Sequence, residues 1–81
     1  MSERLILKGA LQEKKLERMR LATRAEGIIR GIKAIIQPAS VMPLKDLKTG
    51  EALSMMEELD ELRTSYLKVT RDVEEIEREL A

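Results

Sequence analysis

The stretch "ALSMMEELDELRTSYLKVTRDVEEIEREL", residues 52–80, decides the fold of this chain. Its apolar side chains recur at alternating intervals of three and four residues, the heptad pattern of a helix that packs against another helix along a narrow seam. The members of this pattern are Ala52, Met55, Leu59, Leu62, Tyr66, Val69, Val73, Ile76 and Leu80. Because the stretch contains no proline, it predicts one uninterrupted helix.

A second heptad pattern precedes the first along the chain, and it is apolar except for a charged central pair. Its members are Leu7, Leu11, Lys14, Arg18, Leu21, Ala25, Ile28, Ile32 and Ile35. In an antiparallel hairpin, facing residues have numbers with a constant sum, and pairing the two patterns from Leu7 with Leu80 inward gives 87 for every pair. Small residues face large ones, as in Ala25 with Leu62. The two patterns therefore predict an all-α fold, a two-helix coiled-coil hairpin.

Local signals set the expected helix boundaries. Ser2 is a suitable N-cap for the first helix, and Pro38 predicts its end because the residue before a proline disfavours helical dihedral angles. Thr49 is the expected N-cap of the second helix, with Glu51 in its acidic first turn. We predict helices over residues 3–36 and 50–80, a loop over residues 37–49, and a single domain over residues 1–81.

Composition narrows the possible functions. The chain has 81 residues with no cysteine and no histidine, so it lacks the ligands of a thiolate zinc site and the commonest general base. We expect no cofactor, no metal and no catalysis. The N-terminal residues lack the apolar run of a signal peptide, and no membrane-spanning apolar run occurs, so we expect a cytoplasmic protein without a membrane partner.

The net charge of zero hides two halves of opposite sign. Residues 1–36 carry nine Lys or Arg against four Glu, a net charge of +5, and residues 37–81 carry six against eleven acids, a net charge of −5. This asymmetry indicates that the first binding partner of each half is the other half. The run "KKLERMRLATR", residues 14–24, could alternatively serve nucleic acid, but no aromatic residue for base stacking or recognition-helix motif accompanies it.

The loop is unusually apolar and contains two prolines in "IIQPASVMPL", residues 35–44. Two interpretations of its apolar residues remain open. They cap the end of the seam over Ile35, Ile36 and Leu53, which we prefer because most apolar residues belong to a core, or they form a docking tip for another protein. The residues concerned are Val41, Met42, Leu44 and Leu47.

Lys14 and Arg18 interrupt the seam. They could bind a ligand or specify the pairing of the helices, as polar seam residues do in other coiled coils. We favour snorkelling, in which their stems lie over Val69 and Val73 while their charged ends reach acids such as Asp72.

Further apolar residues lie outside the seam and predict association. They form an oligomer stripe on the far side of each helix, consisting of Leu5, Leu16, Met19, Leu53, Met56 and Leu67. A hairpin of this size is marginally stable by itself, so we expect a homo-oligomer, most simply a dimer that forms a four-helix bundle.

The segments "LKGALQEKKLERMRLATRAEGIIRGIKAIIQP" and "PLKDLKTGEALSMMEELDELRTSYLKV" with the closing "EIEREL" resemble small helical proteins of Mu-like prophage regions. The resemblance covers nearly the whole chain and implies a bacterial or phage accessory protein without an assigned activity. The architecture is also similar to the needle subunits of type III secretion, which are helical hairpins with a proline-containing turn.

These observations predict a non-catalytic structural or interaction protein, a self-associating hairpin that acts as an assembly or accessory factor. One alternative is a nucleic-acid-associated accessory protein that uses the basic first helix. A small all-helical enzyme of the chorismate mutase kind and a secretion-needle-like filament subunit are less favoured, the enzyme because two helices leave little room for a pocket.

Overall fold

A computed structural model describes residues 2–81 and shows an all-α hairpin, as predicted. Helix α1 spans Glu3–Ile36 and helix α2 spans Thr49–Leu80. The two helices pack antiparallel along their lengths and form a rod with dimensions of 64 × 17 × 14 Å. The loop contains two short 3₁₀ helices, Gln37–Val41 and Leu44–Asp46.

Helix α1 begins and ends where the sequence predicts. The hydroxyl of Ser2 accepts a hydrogen bond from the backbone N–H of Arg4 at 3.2 Å, which confirms the N-cap. Helical turns nevertheless continue past Pro38. Gln37 keeps α-helical dihedral angles, and the chain goes on as a 3₁₀ helix. A proline in the first turn of a helix needs no N–H partner, so Pro38 is accommodated there.

The predicted cap of α2 is wrong by one residue. Thr49 is the first residue of the helix, and Lys48 precedes it without a side-chain cap. The backbone carbonyl of Lys48 accepts a hydrogen bond from the N–H of Ala52 at 3.1 Å, so the first turn already closes around Thr49. Helix α2 therefore begins one residue before the predicted range.

The core is a thin line along the seam. All nine heptad residues of α1 are half-buried, and those of α2 are half-buried or buried except Tyr66, which is 38% exposed. Within residues 2–81 only Val69 and Val73 are fully buried. An ion pair joins Lys14 to Asp72, whose numbers add up to 86, one short of the predicted sum.

Candidate interaction surface

The seam has two flanks, which the heptad positions define. With Leu11 of α1 and Ala52 of α2 at position a, the e and b positions of both helices lie on one side of the hairpin, and the g and c positions lie on the other. We call the first side the apolar flank and the second the polar flank. In an antiparallel pair, each flank is built from both helices.

Exposed apolar side chains concentrate on the apolar flank. Within residues 2–81, nine large apolar residues outside the seam and the loop are exposed, and seven of them occupy e or b positions: Leu5, Met19, Ile29, Ile36, Leu53, Met56 and Leu67. The other two are Ile6, at a c position, and Leu16, on the back of α1. Five members of the oligomer stripe thus share one flank, and Leu16 lies apart from them.

A groove of about 460 Å³ opens on the apolar flank next to the loop. Met56 and Leu53 of α2 and Ile36 of α1 form its outer part, while half-buried seam residues form its floor. Its lining is Ile32, Ile35, Ile36, Ala39, Leu47, Lys48, Thr49, Ala52, Leu53 and Met56. No carboxylate borders it, so the groove presents almost only hydrocarbon to its contents.

A second groove of about 310 Å³ lies on the same flank, closer to the middle of the rod. Ala22 and Ile29 border it from α1, and the partly exposed ring of Tyr66 borders it from α2. Glu26 and Arg63 also line it and are both exposed. The apolar flank is therefore grooved from about Leu21 to the loop, and charged side chains alternate with its apolar residues.

The polar flank differs in chemistry and in packing. Arg24 forms an ion pair with Glu58, with 2.7 Å between the guanidinium nitrogen and the carboxylate oxygen. Gly31 faces Met55, and a Cβ atom at Gly31 would lie 2.8 Å from the terminal methyl carbon of Met55. Small and charged residues predominate on this flank, and Ile6 is its one exposed large apolar residue within residues 2–81.

The basic run of α1 is largely neutralised within the hairpin. Lys14 pairs with Asp72 at 3.3 Å, Lys15 with Glu77 at 3.9 Å, and Arg24 with Glu58. Of the five cations in residues 14–24, only Arg18 and Arg20 have no acidic partner within residues 2–81. This pairing reduces the positive surface on which the nucleic-acid alternative depends.

The two charged seam residues lie where the seam is deepest. In the predicted register Lys14 faces Val73 and Arg18 faces Val69, the two fully buried residues. The ammonium group of Lys14 reaches Asp72 at the edge of the seam, as snorkelling requires. No acid pairs with Arg18 in the part of the chain that the structure describes.

The four loop residues proposed to cap the seam differ in their exposure. Met42 and Leu47 are half-buried, and Leu47 lines the larger groove. Val41 and Leu44 are 85% and 84% exposed, so the capping interpretation is wrong for these two. The two 3₁₀ turns that bracket Pro43 direct Val41 and Leu44 away from the helices, and this leaves an apolar tip at the end of the rod.

The heptad pattern did not identify Ile29 and Ile36 as exposed residues of the apolar flank. They lie seven residues apart, one position after the seam residues Ile28 and Ile35, in a run so rich in isoleucine that seam and flank are hard to separate. Ala22, seven residues before Ile29 and fourteen before Ile36, belongs to the same series and was the available signal.

No helix within residues 2–81 is long and apolar enough to cross a membrane. The described residues contain no cluster of three or more His, Cys, Asp or Glu side chains that could hold a metal ion. No protein-family model matches this chain, and neither the curated proteins nor the solved structures with which it was compared gave a match.

Proposed function

We propose that this chain is a non-catalytic structural protein of the cytoplasm that associates with a second copy of itself through the apolar flank. The main support for this proposal is that seven of the nine exposed large apolar residues outside the seam and the loop, within residues 2–81, lie on one side of the hairpin. Exposed apolar side chains that gather on one side of a helical protein typically mark an interface. Two hairpins packed flank to flank form a four-helix bundle, the simplest arrangement that covers this surface on both copies.

The thinness of the core supports the same proposal. Two fully buried residues are few for a folded domain, and the half-buried residues of the groove floor retain part of their apolar surface in water. Packing a second hairpin onto the grooves would bury this floor together with Leu53 and Met56. Each 100 Å² of apolar surface removed from water stabilises by about 2.5 kcal/mol, so association would add substantially to the stability of each hairpin.

In this proposal the protein acts as an assembly or accessory factor. Its resemblance to helical proteins of Mu-like prophage regions is compatible with that role. The exposed Val41 and Leu44 belong to the loop and line neither groove, so in this proposal they stay accessible for a further protein when two hairpins have associated.

Sedimentation equilibrium tests the self-association. We expect the wild-type chain to be dimeric at micromolar concentration, and Met56→Glu to raise the dissociation constant at least tenfold because it places a charge among apolar residues. Ser54→Glu is the matched control, since Ser54 is exposed two residues earlier on the polar flank and its substitution should leave the dimer intact. A monomeric wild type at 100 μM, or an equal effect of both substitutions, would contradict the proposal.

A further inference from the structure

We infer that the two copies associate side by side with their loops at the same end, so that α1 of each copy lies over α2 of the other. This inference rests on the proposed self-association and adds its orientation. Two symmetric arrangements can bring the apolar flanks together. In the parallel one, the two-fold axis runs along the rod; in the antiparallel one, it runs across the rod and places α1 over α1 and α2 over α2.

The charges on the apolar flank distinguish these arrangements. On α1 the charged e and b residues are Lys8, Lys15, Glu26 and Lys33, and on α2 they are Asp60, Arg63, Glu74 and Glu77. The α1 side thus carries a net charge of +2 and the α2 side a net charge of −2. Placing α1 over α2 brings opposite charges together, whereas placing each helix over its own copy brings like charges together.

Individual positions agree with the parallel arrangement. Because α1 and α2 already run antiparallel within a hairpin, residues at the same height along the rod have numbers that add up to about 87. In the parallel dimer, Lys15, which also pairs with Glu77 of its own chain, therefore lies level with Glu74 of the other copy, and Glu26 lies level with Arg63. The pair of Glu26 and Arg63 is informative. Glu26 is an acid on the α1 side, which is positive overall, and Arg63 is a base on the α2 side, which is negative overall, yet the two charges are still opposite.

The antiparallel arrangement produces more repulsion than attraction between these charges. It brings Lys15 of α1 near Glu26 of the other copy, which attract each other, but it also creates two kinds of like-charged pair. When the ends of the two rods are aligned, Lys8 of α1 lies near Lys33 of the other copy, and Asp60 of α2 lies near Glu74. Like charges facing each other across an interface select against that arrangement.

The apolar residues match in height as well. Met19 and Ala22 of α1 are level with Leu67 of α2, and Ile36 is level with Leu53. In the parallel dimer each of these clusters meets its equivalent in the other copy. The parallel arrangement also brings both exposed tips to one end, where Val41 and Leu44 of the two copies would form a joint apolar surface.

Charge exchange between chains tests the orientation. In the parallel dimer, Glu26→Arg and Arg63→Glu each produce two repulsive contacts in a homodimer. A mixture of the two variants restores two attractive contacts in the heterodimer. Contacts between positions 26 and 63 within one chain are unchanged by mixing. The two variants carry net charges of +2 and −2 and attract each other in either orientation, so a preference that persists at about 0.5 M salt, where this long-range attraction is screened, reports the contact between copies. We expect native mass spectrometry of an equimolar mixture to show the heterodimer at least fivefold above the level of random pairing, and random pairing would overturn the orientation.

Distances between spin labels provide a second readout. The chain has no cysteine, so Ser40→Cys and Ala81→Cys each provide a single labelling site, one at either end of the rod. In the parallel dimer, labels at the same site should be close together, and labels at different sites on two copies should be about 50 Å apart, the length of a 34-residue helix. The reverse pattern would show an antiparallel dimer and overturn only the orientation. Monomeric chains without intermolecular coupling would overturn the proposed function itself.

Discussion

Gly31 of α1 and Met55 of α2 occupy complementary space on the polar flank. The terminal methyl group of Met55 lies where any other residue at position 31 would place its Cβ atom, with only 2.8 Å between them. The hairpin therefore gains a close contact here at the cost of a glycine within α1, which by itself lowers the stability of a helix. This contact makes position 31 different from the other glycines of the helix.

Substituting alanine for glycine should expose that difference. At Gly9 no atom lies within 4 Å of a new Cβ atom, so Gly9→Ala should raise the free energy of unfolding by about 1 kcal/mol. Gly31→Ala should gain clearly less, because the Met55 side chain must move. Urea denaturation followed by circular dichroism measures both. Equal gains would show that Met55 adapts without cost.

Thr70 has a buried hydroxyl oxygen without a hydrogen-bond partner within residues 2–81. Replacing this hydroxyl with a methyl group in Thr70→Val removes an unsatisfied polar group at nearly constant shape, so we expect stability to rise by about 1 kcal/mol. Thr64→Val is the control, since the exposed Thr64 hydroxyl already donates to the carbonyl of Asp60 at 3.1 Å. Thermal denaturation should show a gain for Thr70→Val only, and a loss at Thr70 would indicate that its hydroxyl has a partner in solution.

Lys14 reduces the apolar content of the seam beside buried Val73. In Lys14→Met the lost ion pair with the partly exposed Asp72 is worth at most about 1 kcal/mol, while a thioether adds apolar contact in the seam. We expect a net gain in unfolding free energy of about 1 kcal/mol. Lys68→Met, at an exposed position of α2, should change stability little. Destabilisation by Lys14→Met would assign Lys14 a role in specifying the helix pairing.

The two loop residues Val41 and Met42 should respond differently to the same substitution. Met42→Ser removes a half-buried side chain and should lower stability by about 1–2 kcal/mol, whereas Val41→Ser removes an exposed one and should leave it within about 0.5 kcal/mol. Chemical denaturation of the two single variants tests this. A comparable loss from Val41→Ser would mean that the tip packs against the protein, either in the hairpin or in its oligomer.

The helices of this protein could be predicted because the information that specifies them is local. The alternation of three and four residues marks each helix, and the Ser2 cap marks where α1 starts. The pairing of α1 with α2 could be predicted as well, since two heptad patterns of nine residues each, joined by one loop, can align in few ways. The ion pairs between the helices, Lys14–Asp72, Lys15–Glu77 and Arg24–Glu58, have residue numbers that add up to 86, 92 and 82, on both sides of the predicted 87.

Only the tertiary structure decided the exposure of individual side chains, because exposure depends on how neighbouring elements close over them. Val41 and Leu44 carry the same apolar signal as Met42 and Leu47, and the winding of two 3₁₀ turns directs the first pair outward and the second pair inward. Along the seam, a heptad position buries Val73 almost completely but leaves Tyr66 38% exposed beside a groove. The periodicity determined which residues face the partner helix, and the shapes of the surrounding side chains determined how far water is excluded from them.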